Sequence, residues 1–208
     1  MKPKRKTQKK KIPSVQIFFF MRLFAIFLIA VCLLLLSLYY KGVERQKQAE
    51  KELLHAREDF ILRLLPHALQ NYETYGILPS ITLSQAILES DWGRSRLSSE
   101  FHNYFGIKSF KENEDRVSLQ TKEFYNNQMN TTQDYFRVYE SLEASVAHHG
   151  LLLGTAPRYR KFLTSSNYKE ASQALYDASY STDPHYPEKL NHLIETYDLD
   201  QYDPPESR

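Results

Sequence analysis

The rhythm of hydrophobic and polar positions changes several times along this chain. From Leu23 to Tyr40 no residue is charged, and with Ile17 to Met21 ahead of Arg22 the apolar run is long enough to cross a bilayer as a helix. Lys41 to about Ala56, KGVERQKQAEKELLHA, is charged, free of proline and spaced for a helix, which predicts a stalk continuing the first segment. Phe60, Ile61, Leu64, Leu65, Ala68, Leu69 and Tyr72 then recur at helical spacing, with Pro66 expected to kink that helix. From Val117 the period becomes two: Val117, Leu119, Thr121, Glu123 and Tyr125 share one face of a strand, 126–130 reads as a turn, and DYFRVYE as the returning strand. Helical spacing resumes in three segments. Ser141 caps a stripe of Leu142, Val146, His149, Leu152 and Leu153. An Asn167/Glu170 capping box precedes Ala171, Ala174, Leu175 and Ala178, and Pro187 opens a helix carrying Leu190, Leu193, Ile194 and Tyr197. The predicted fold is mainly α with a small β-hairpin lobe, and a cleft lies between hairpin and helices. It occupies 57–202, with a short tail at 203–208, and follows a basic tail (1–16), a transmembrane helix (17–40) and the stalk (41–56).

One stretch carries the chemistry: Ile81 to Lys108, ITLSQAILESDWGRSRLSSEFHNYFGIK. Thr82 and Gln85 have capping-box spacing, so a helix is expected to start there, with Leu83, Ala86, Ile87 and Ser90 facing a core and Gly93 as a left-handed stop. Glu89 falls at the edge of that stripe, in the last turn. The negative end of the helix dipole and the neighbouring Trp92 both oppose ionisation there. A carboxyl group kept protonated near neutrality suits a general acid that protonates a leaving oxygen. The competing reading is a solvated glutamate, or one paired with Arg94 or Arg96.

Composition narrows the setting. The 208 residues allow one ordinary domain plus appendages, and 42% apolar with 25% charged residues is globular in character. Eight of the 27 basic residues precede Lys41 and no acid occurs before Glu44, so the remainder carries 19 basic against 25 acidic residues. A basic block directly before an apolar run argues for topology and anionic-lipid contact, not nucleic acid, with the N-terminus cytoplasmic and the bulk outside. A cleaved signal peptide is disfavoured because bulky Leu38, Tyr39 and Tyr40 stand where small residues would be needed. Cys32, the single cysteine, excludes an internal disulfide and reads as a small hydrophobe of the membrane helix. Adjacent His148 and His149 point apart on a helix and lack further ligands. No phosphate-binding glycine loop, metal cluster or nucleophile elbow occurs, and no cofactor is expected.

LSQAILESDWGRSRLSSEFHNYFGIK resembles the catalytic segment of bacterial cell-wall N-acetylglucosaminidases, glycoside hydrolase family 73. The likeness continues through TKEF, YFRVYESLEASVAHHGLLL and YKEASQALYDASYSTDPHYPEKLNHLIETYDL, covering about residues 58–200. Departures are Asp91, where many relatives carry a small residue, and Ser181 in YSTD, where alanine is commoner. The resemblance implies a lysozyme-like fold with a glycan cleft and a membrane-anchored hydrolase that cuts peptidoglycan glycan strands after N-acetylglucosamine.

It also implies roles for residues. Glu89 matches the general acid, Glu123 the second acidic residue, and Tyr180 a cleft tyrosine that could orient the acetamido group or donate to developing charge. Asn103 and Phe105 are expected to line or shape the cleft, and Asp183, grouped with the substrate-binding residues, to fix the Tyr180 loop through backbone amides, as aspartates in turns do. Trp92, Tyr135, Phe136 and Tyr180 are the candidates for stacking on sugar, with Tyr135 and Phe136 exchangeable because the strand faces are undetermined. Glu123 could be a base on water, a nucleophile or a solvated strand residue, and the 2-acetamido group of the substrate could itself attack. Two other functions remain open: a muramidase or lytic transglycosylase of the same fold, and a non-catalytic wall-binding protein.

Overall fold

The computed structural model describes residues 14–125 and 128–207, with no side-chain description for 14–17 and 122–130. The basic block Lys2 to Lys11 therefore lies outside the described residues. The chain divides into two compact units, Met1–His55 and Ala56–Arg208. In the first, the N-terminal part of helix α1 (Ser14–Tyr75) exposes its apolar side chains on every side, Phe18, Phe24, Leu35 and Tyr40 among them. Such a surface is stable in lipid and not in water.

The segments expected as membrane helix, stalk and first domain helix belong to this one helix, and Pro66 sits inside it. A proline there leaves the carbonyl four residues earlier without its partner. That residue is Leu62, which is exposed, so water can take the vacant bond.

The second unit is built around helix α2 (Pro79–Ser90), of which ten of twelve residues are buried. An amphipathic stripe was expected; the helix is instead enclosed on nearly all sides, which its small polar residues tolerate by spending their hydrogen bonds internally. Ser84 Oγ donates to Ile81 O, and Ser90 Oγ donates to Ala86 O while accepting from Gly93 N. The expected start at Thr82 is also corrected. The helix begins at Pro79, whose fixed φ suits a first turn. One of its first-turn amides is met by Asp203, far along the chain: the buried carboxylate accepts from Ser80 N at 2.8 Å and from Ser80 Oγ at 2.6 Å. Thr82 Oγ1 has no hydrogen-bond partner, and Gln85 is used elsewhere. The left-handed stop comes before Gly93, at Asp91 (φ 50°) and Trp92 (φ 61°).

Around α2 pack the C-terminal part of α1 through Phe60, Ile61, Leu64 and Ala68, and the later helices α4 (Leu142–Thr155), α6 (Tyr168–Asp177) and α7 (Tyr186–Thr196). Short helices α3 (Arg96–Phe101) and α5 (Arg160–Leu163) complete the body. The caps expected for α4 and α6 form: Ser141 Oγ accepts from Ala144 N, and Asn167 Oδ1 from Lys169 N and Glu170 N. Glu170 reaches back one residue further than a strict capping box, to Ser166 N.

Strands β1 (Arg116–Tyr125) and β2 (Gln128–Arg137) form an antiparallel hairpin in which Val117 pairs Phe136, Leu119 pairs Asp134 and Glu123 pairs Asn130. Of the residues expected as a turn at 126–130, 128–130 belong to β2 and 126–127 lie outside the described residues; β2 ends at Arg137, short of Tyr139 and Glu140. Residues 107–109 add a third partial rung: Arg137 N donates to Ile107 O, and Ser109 N to Tyr135 O. That rung joins hairpin to body and settles the strand faces, with Phe136 buried and Tyr135 half exposed.

Helices α1 and α4 cross where Gly150 has no side chain. A Cβ there would lie 2.2 Å from Asn71 Oδ1, and Asn71 is buried with its Nδ2 donating to Val146 O. Gly150→Ala is therefore expected to destabilise the protein by about 1–3 kcal/mol, the usual cost of overpacking. Thermal unfolding checks this, and an unchanged midpoint would contradict the packing described.

Candidate active site

A cleft of about 1260 Å³ separates the helical body from the hairpin. Glu89, Phe105, Gly106, Tyr159 and Tyr180 line it from the body, and Leu119, Thr121, Phe136 and Arg137 from the hairpin side.

Glu89 is half-buried at the end of α2. Neither expected arginine pairs with it: Arg94 bonds Asp91 and Arg96 bonds Glu100. Its Oε1 accepts from the Tyr186 hydroxyl at 3.0 Å. Tyr186, buried in the first turn of α7, accepts in turn from Gln85 Nε2 at 3.0 Å, and Gln85 Oε1 lies 3.0 Å from His149 Nε2. Gln85 and Glu89 are four residues apart, hence on one face of α2.

The direction of this relay follows from its buried end. Burial first, and then the neighbouring His148, push the His149 pKa down to about 3, so the ring is neutral. With its hydrogen on Nε2 it donates to Gln85, leaving Nδ1, which has no partner, as a bare lone pair; the opposite tautomer would bury an unpaired N–H. Gln85 must then donate to Tyr186, and Tyr186 to Glu89. Oε1 is thus an acceptor, and the proton of neutral Glu89 belongs on Oε2. That oxygen faces Gly106, where even a Cβ would be 3.7 Å away and where φ is +64°. Burial raises the Glu89 pKa to about 7, the Tyr186 hydrogen bond and the Lys189 charge only partly opposing it. The site thus holds a carboxylic acid with one oxygen fixed and the other open to the cleft.

Tyr180 lies beside it, its ring stacked on Tyr186 at 5.9 Å and its hydroxyl donating to Phe105 O at 3.2 Å. Burial, and next the nearby Glu89 charge, raise its pKa well above the usual value, so it stays neutral. The Phe105 carbonyl belongs to a turn wired by Asn103, whose Nδ2 donates to Ile107 O and Arg137 O and whose Oδ1 accepts from Ile107 N. The Phe105 ring is buried against His149 at 3.8 Å.

The structure does not bring every expected residue together. Glu89, Phe105, Phe136 and Tyr180 share the cleft. Asn103 is wholly buried and spends its amide on the backbone. Trp92 packs edge-on between Phe60 and Tyr197, with Arg57 over its ring. Tyr135 faces the other side of the hairpin, under Arg116. Asp183 accepts from His185 N and pairs with Lys189, which fixes its loop; partial burial pulls its pKa up, but Lys189 and the amide hold it below the usual range. Glu123 has a backbone place in β1, and its side chain lies outside the described residues.

Sequence reasoning missed Tyr186 and the true role of Gln85, which imitates a helix cap. It also missed Phe110, 87% exposed on the cleft rim, and a polar cluster on the hairpin side. There Glu114 accepts from Arg137 Nε and Ser109 Oγ, each at 3.1 Å, Arg137 Nη1 meets His148 Nε2 at 2.6 Å, and His148 Nδ1 meets the Tyr139 hydroxyl at 2.7 Å. Arginine can only donate, so His148 is neutral, in keeping with a pKa lowered first by burial and then by Arg137. Among the described residues no group of three His, Cys, Asp or Glu side chains is placed to hold a metal ion.

Comparison with known proteins places these features in context. A glucosaminidase family model, described as mannosyl-glycoprotein endo-beta-N-acetylglucosaminidase, matches residues 65–199. The exo-glucosaminidase LytG of Bacillus subtilis is 37% identical over 205 residues, covering 96% of this chain and 70% of that protein. A probable N-acetylmuramidase of Lactococcus lactis subsp. lactis is 34% identical over 157 residues, 72% of this chain but 35% of its own length. Among solved structures, a peptidoglycan hydrolase mutant from Sphingomonas sp. A1 superposes with a TM-score of 0.63 at 29% identity, covering 69% of this chain and 96% of that one.

The perturbed carboxyl carries a stability signature. An unfolded glutamate ionises near 4.5, whereas folded Glu89 keeps its proton to about 7, so the native state loses stability as pH rises between those values, by about 3 kcal/mol at most. Glu89→Gln, which cannot ionise, is expected to raise the thermal midpoint relative to wild type at pH 8 and to leave it nearly unchanged at pH 4. Parallel pH dependence in both proteins would rule out a buried, raised Glu89.

Proposed function

The chain belongs to the glucosaminidase family of glycoside hydrolases, and we propose that it cuts peptidoglycan glycan strands at the β-1,4 bond following N-acetylglucosamine, with Glu89 as general acid. The observation that carries this reading is the place of the Glu89 carboxyl, which lines the cleft with Oε1 held by the Tyr186 hydroxyl and Oε2 beside Gly106, where burial pushes its pKa up to about 7. Its proton passes to the glycosidic oxygen as the bond to the anomeric carbon breaks.

The second group in this reading is the substrate itself. Tyr180 has committed its hydrogen to Phe105 O, so its free lone pair can accept from the acetamide N–H and turn the acetamido carbonyl oxygen toward the anomeric carbon. That oxygen bonds to the carbon as the leaving group departs; water then attacks the anomeric carbon, the bond from that carbon to the acetamido oxygen breaks to restore the acetamide, and the proton of the water passes to Glu89. Glu123, on the hairpin strand, is the alternative second group, acting as base on water. The routes differ in product: the acetamido route releases the β anomer first, and inversion by Glu123 the α anomer, as NMR of fresh digests distinguishes. The exposed apolar face of α1 supports anchoring by residues 17–40 with the catalytic unit outside, which would confine cleavage to wall near the membrane.

A muramidase is the second reading, favoured by the likeness to the Lactococcus lactis protein. Digestion of purified peptidoglycan, borohydride reduction and mass spectrometry separate the two. Reduced N-acetylglucosamine ends are expected, falling by about 10²–10⁴-fold in Glu89→Gln. Reduced N-acetylmuramic acid or an anhydro end would move the chain to the second reading, and full activity in Glu89→Gln would remove the assignment of the acid.

Activity should decline as pH rises through about 7, because the acid must be protonated. Tyr186 lowers the Glu89 pKa, so Tyr186→Phe is expected to move this alkaline limb to higher pH while reducing kcat. An unmoved limb in the pH profile would take Tyr186 out of the relay.

A further inference from the structure

Five basic side chains line the cleft: Arg96, Lys108, Lys111, Arg137 and Arg158. Four of them have acidic partners: Arg96 pairs with Glu100, Lys108 with Asp134, and both Lys111 and Arg137 with Glu114. Among the described residues no acid forms an ion pair with Arg158. It stands in the turn Pro157–Tyr159 between α4 and α5, exposed to the cleft, with its guanidinium 4.6 Å from the centre of the Tyr159 ring. Lying over an aromatic face holds a guanidinium in one plane and leaves its N–H edge free for a planar, two-oxygen acceptor.

Tyr159 is wholly buried and lines the cleft, and its hydroxyl is close enough to the Arg158 guanidinium to feel its charge. Its ring lies 6.3 Å from that of Tyr180, and the Arg158 charge acts on the Tyr180 hydroxyl. This unneutralised cation therefore adjoins the Glu89 site.

We propose that Arg158, seated on Tyr159, is a carboxylate-binding subsite that reads the acidic substituent of the muramic sugar next to the bond being cut. The inference rests on the peptidoglycan reading and names the feature of the substrate that an uncharged chitin-like strand lacks. The carboxylate could belong to the lactyl ether of a peptide-free muramic sugar or to the first residues of an attached stem peptide; both offer the same two oxygens to the guanidinium.

Calorimetric binding to the full-length Glu89→Gln protein tests it, alone and with Arg158→Leu added. Three ligands are used: peptide-free alternating glycan, the same glycan with its lactyl carboxylates converted to methylamides, and peptide-bearing glycan. Arg158→Leu is expected to weaken binding roughly tenfold wherever the recognised carboxylate is present, Arg158→Lys to recover part of the loss, and the methylamide glycan to bind both proteins alike. A loss on the peptide-free acid form assigns the lactyl group, and a loss confined to the peptide-bearing glycan assigns the stem peptide. An equal loss on acid and methylamide forms, or no loss on any ligand, overturns the subsite. Release of N-acetylglucosamine ends by the wild type is scored separately, so failure of the cleavage reading is seen independently of carboxylate binding; absence of binding to every glycan would overturn both.

Discussion

An acid that must hold its proton near neutrality has to be taken out of water and yet kept in one orientation. Both demands fall here on the buried helix α2. Because α2 is enclosed, Glu89 at its end loses hydration and its pKa climbs to about 7. Because Gln85 lies one turn earlier on the same face, the path from the core to the acid is a defined sequence of donors: His149, Gln85, Tyr186, Glu89. A buried carboxyl without that sequence could place its proton on either oxygen; with it, only the oxygen facing Gly106 is available.

The enclosure has a cost that the rest of the domain offsets. A protein that desolvates a titratable group gives up stability at every pH at which the unfolded chain would ionise it. Counterweights are found at the two ends of the same helix and in the packing around it. Asp203 holds the N-terminal end through two charge-assisted bonds, from the amide and the hydroxyl of Ser80, and Ser90 Oγ receives Gly93 N where the chain turns left-handed at the other end. The absent side chain of Gly150 lets Asn71 of α1 reach the Val146 carbonyl of α4. None of these residues is among those that line the cleft.

What could be read from the sequence follows from the range of each interaction. Helical and alternating periods gave the apolar segment, the helical body and the hairpin, because those depend on neighbours within a turn. Glu89 was legible because its setting, the last turn of a helix before a left-handed stop, is local. Gln85 was misread for the same reason: local spacing makes it half of a capping box, and only the folded core shows its amide turned toward His149 and Tyr186. Tyr186 and Asp203 act across about a hundred residues or more, where spacing carries no information. The exchangeable pair Tyr135 and Phe136 was resolved by one bridge, from residues 107–109 to β2, that no period could announce.

Charge adds a last constraint on how this cleft meets a polymer. The residues after Tyr40 carry more acid than base, so an anionic strand approaching the domain is repelled on average. That repulsion is screened beyond about 8–10 Å at ordinary salt, whereas groups inside a low-dielectric cleft are screened far less. Among the residues that line the cleft, five basic side chains outweigh Glu114, and burial keeps Glu89 neutral up to about pH 7. Most of that positive charge is locked into pairs that brace the hairpin against the body, as Arg137 is between Glu114 and His148. In the proposed reading, discrimination by charge falls to the cation left outside those pairs, Arg158, whose supporting ring of Tyr159 lies 6.3 Å from that of Tyr180.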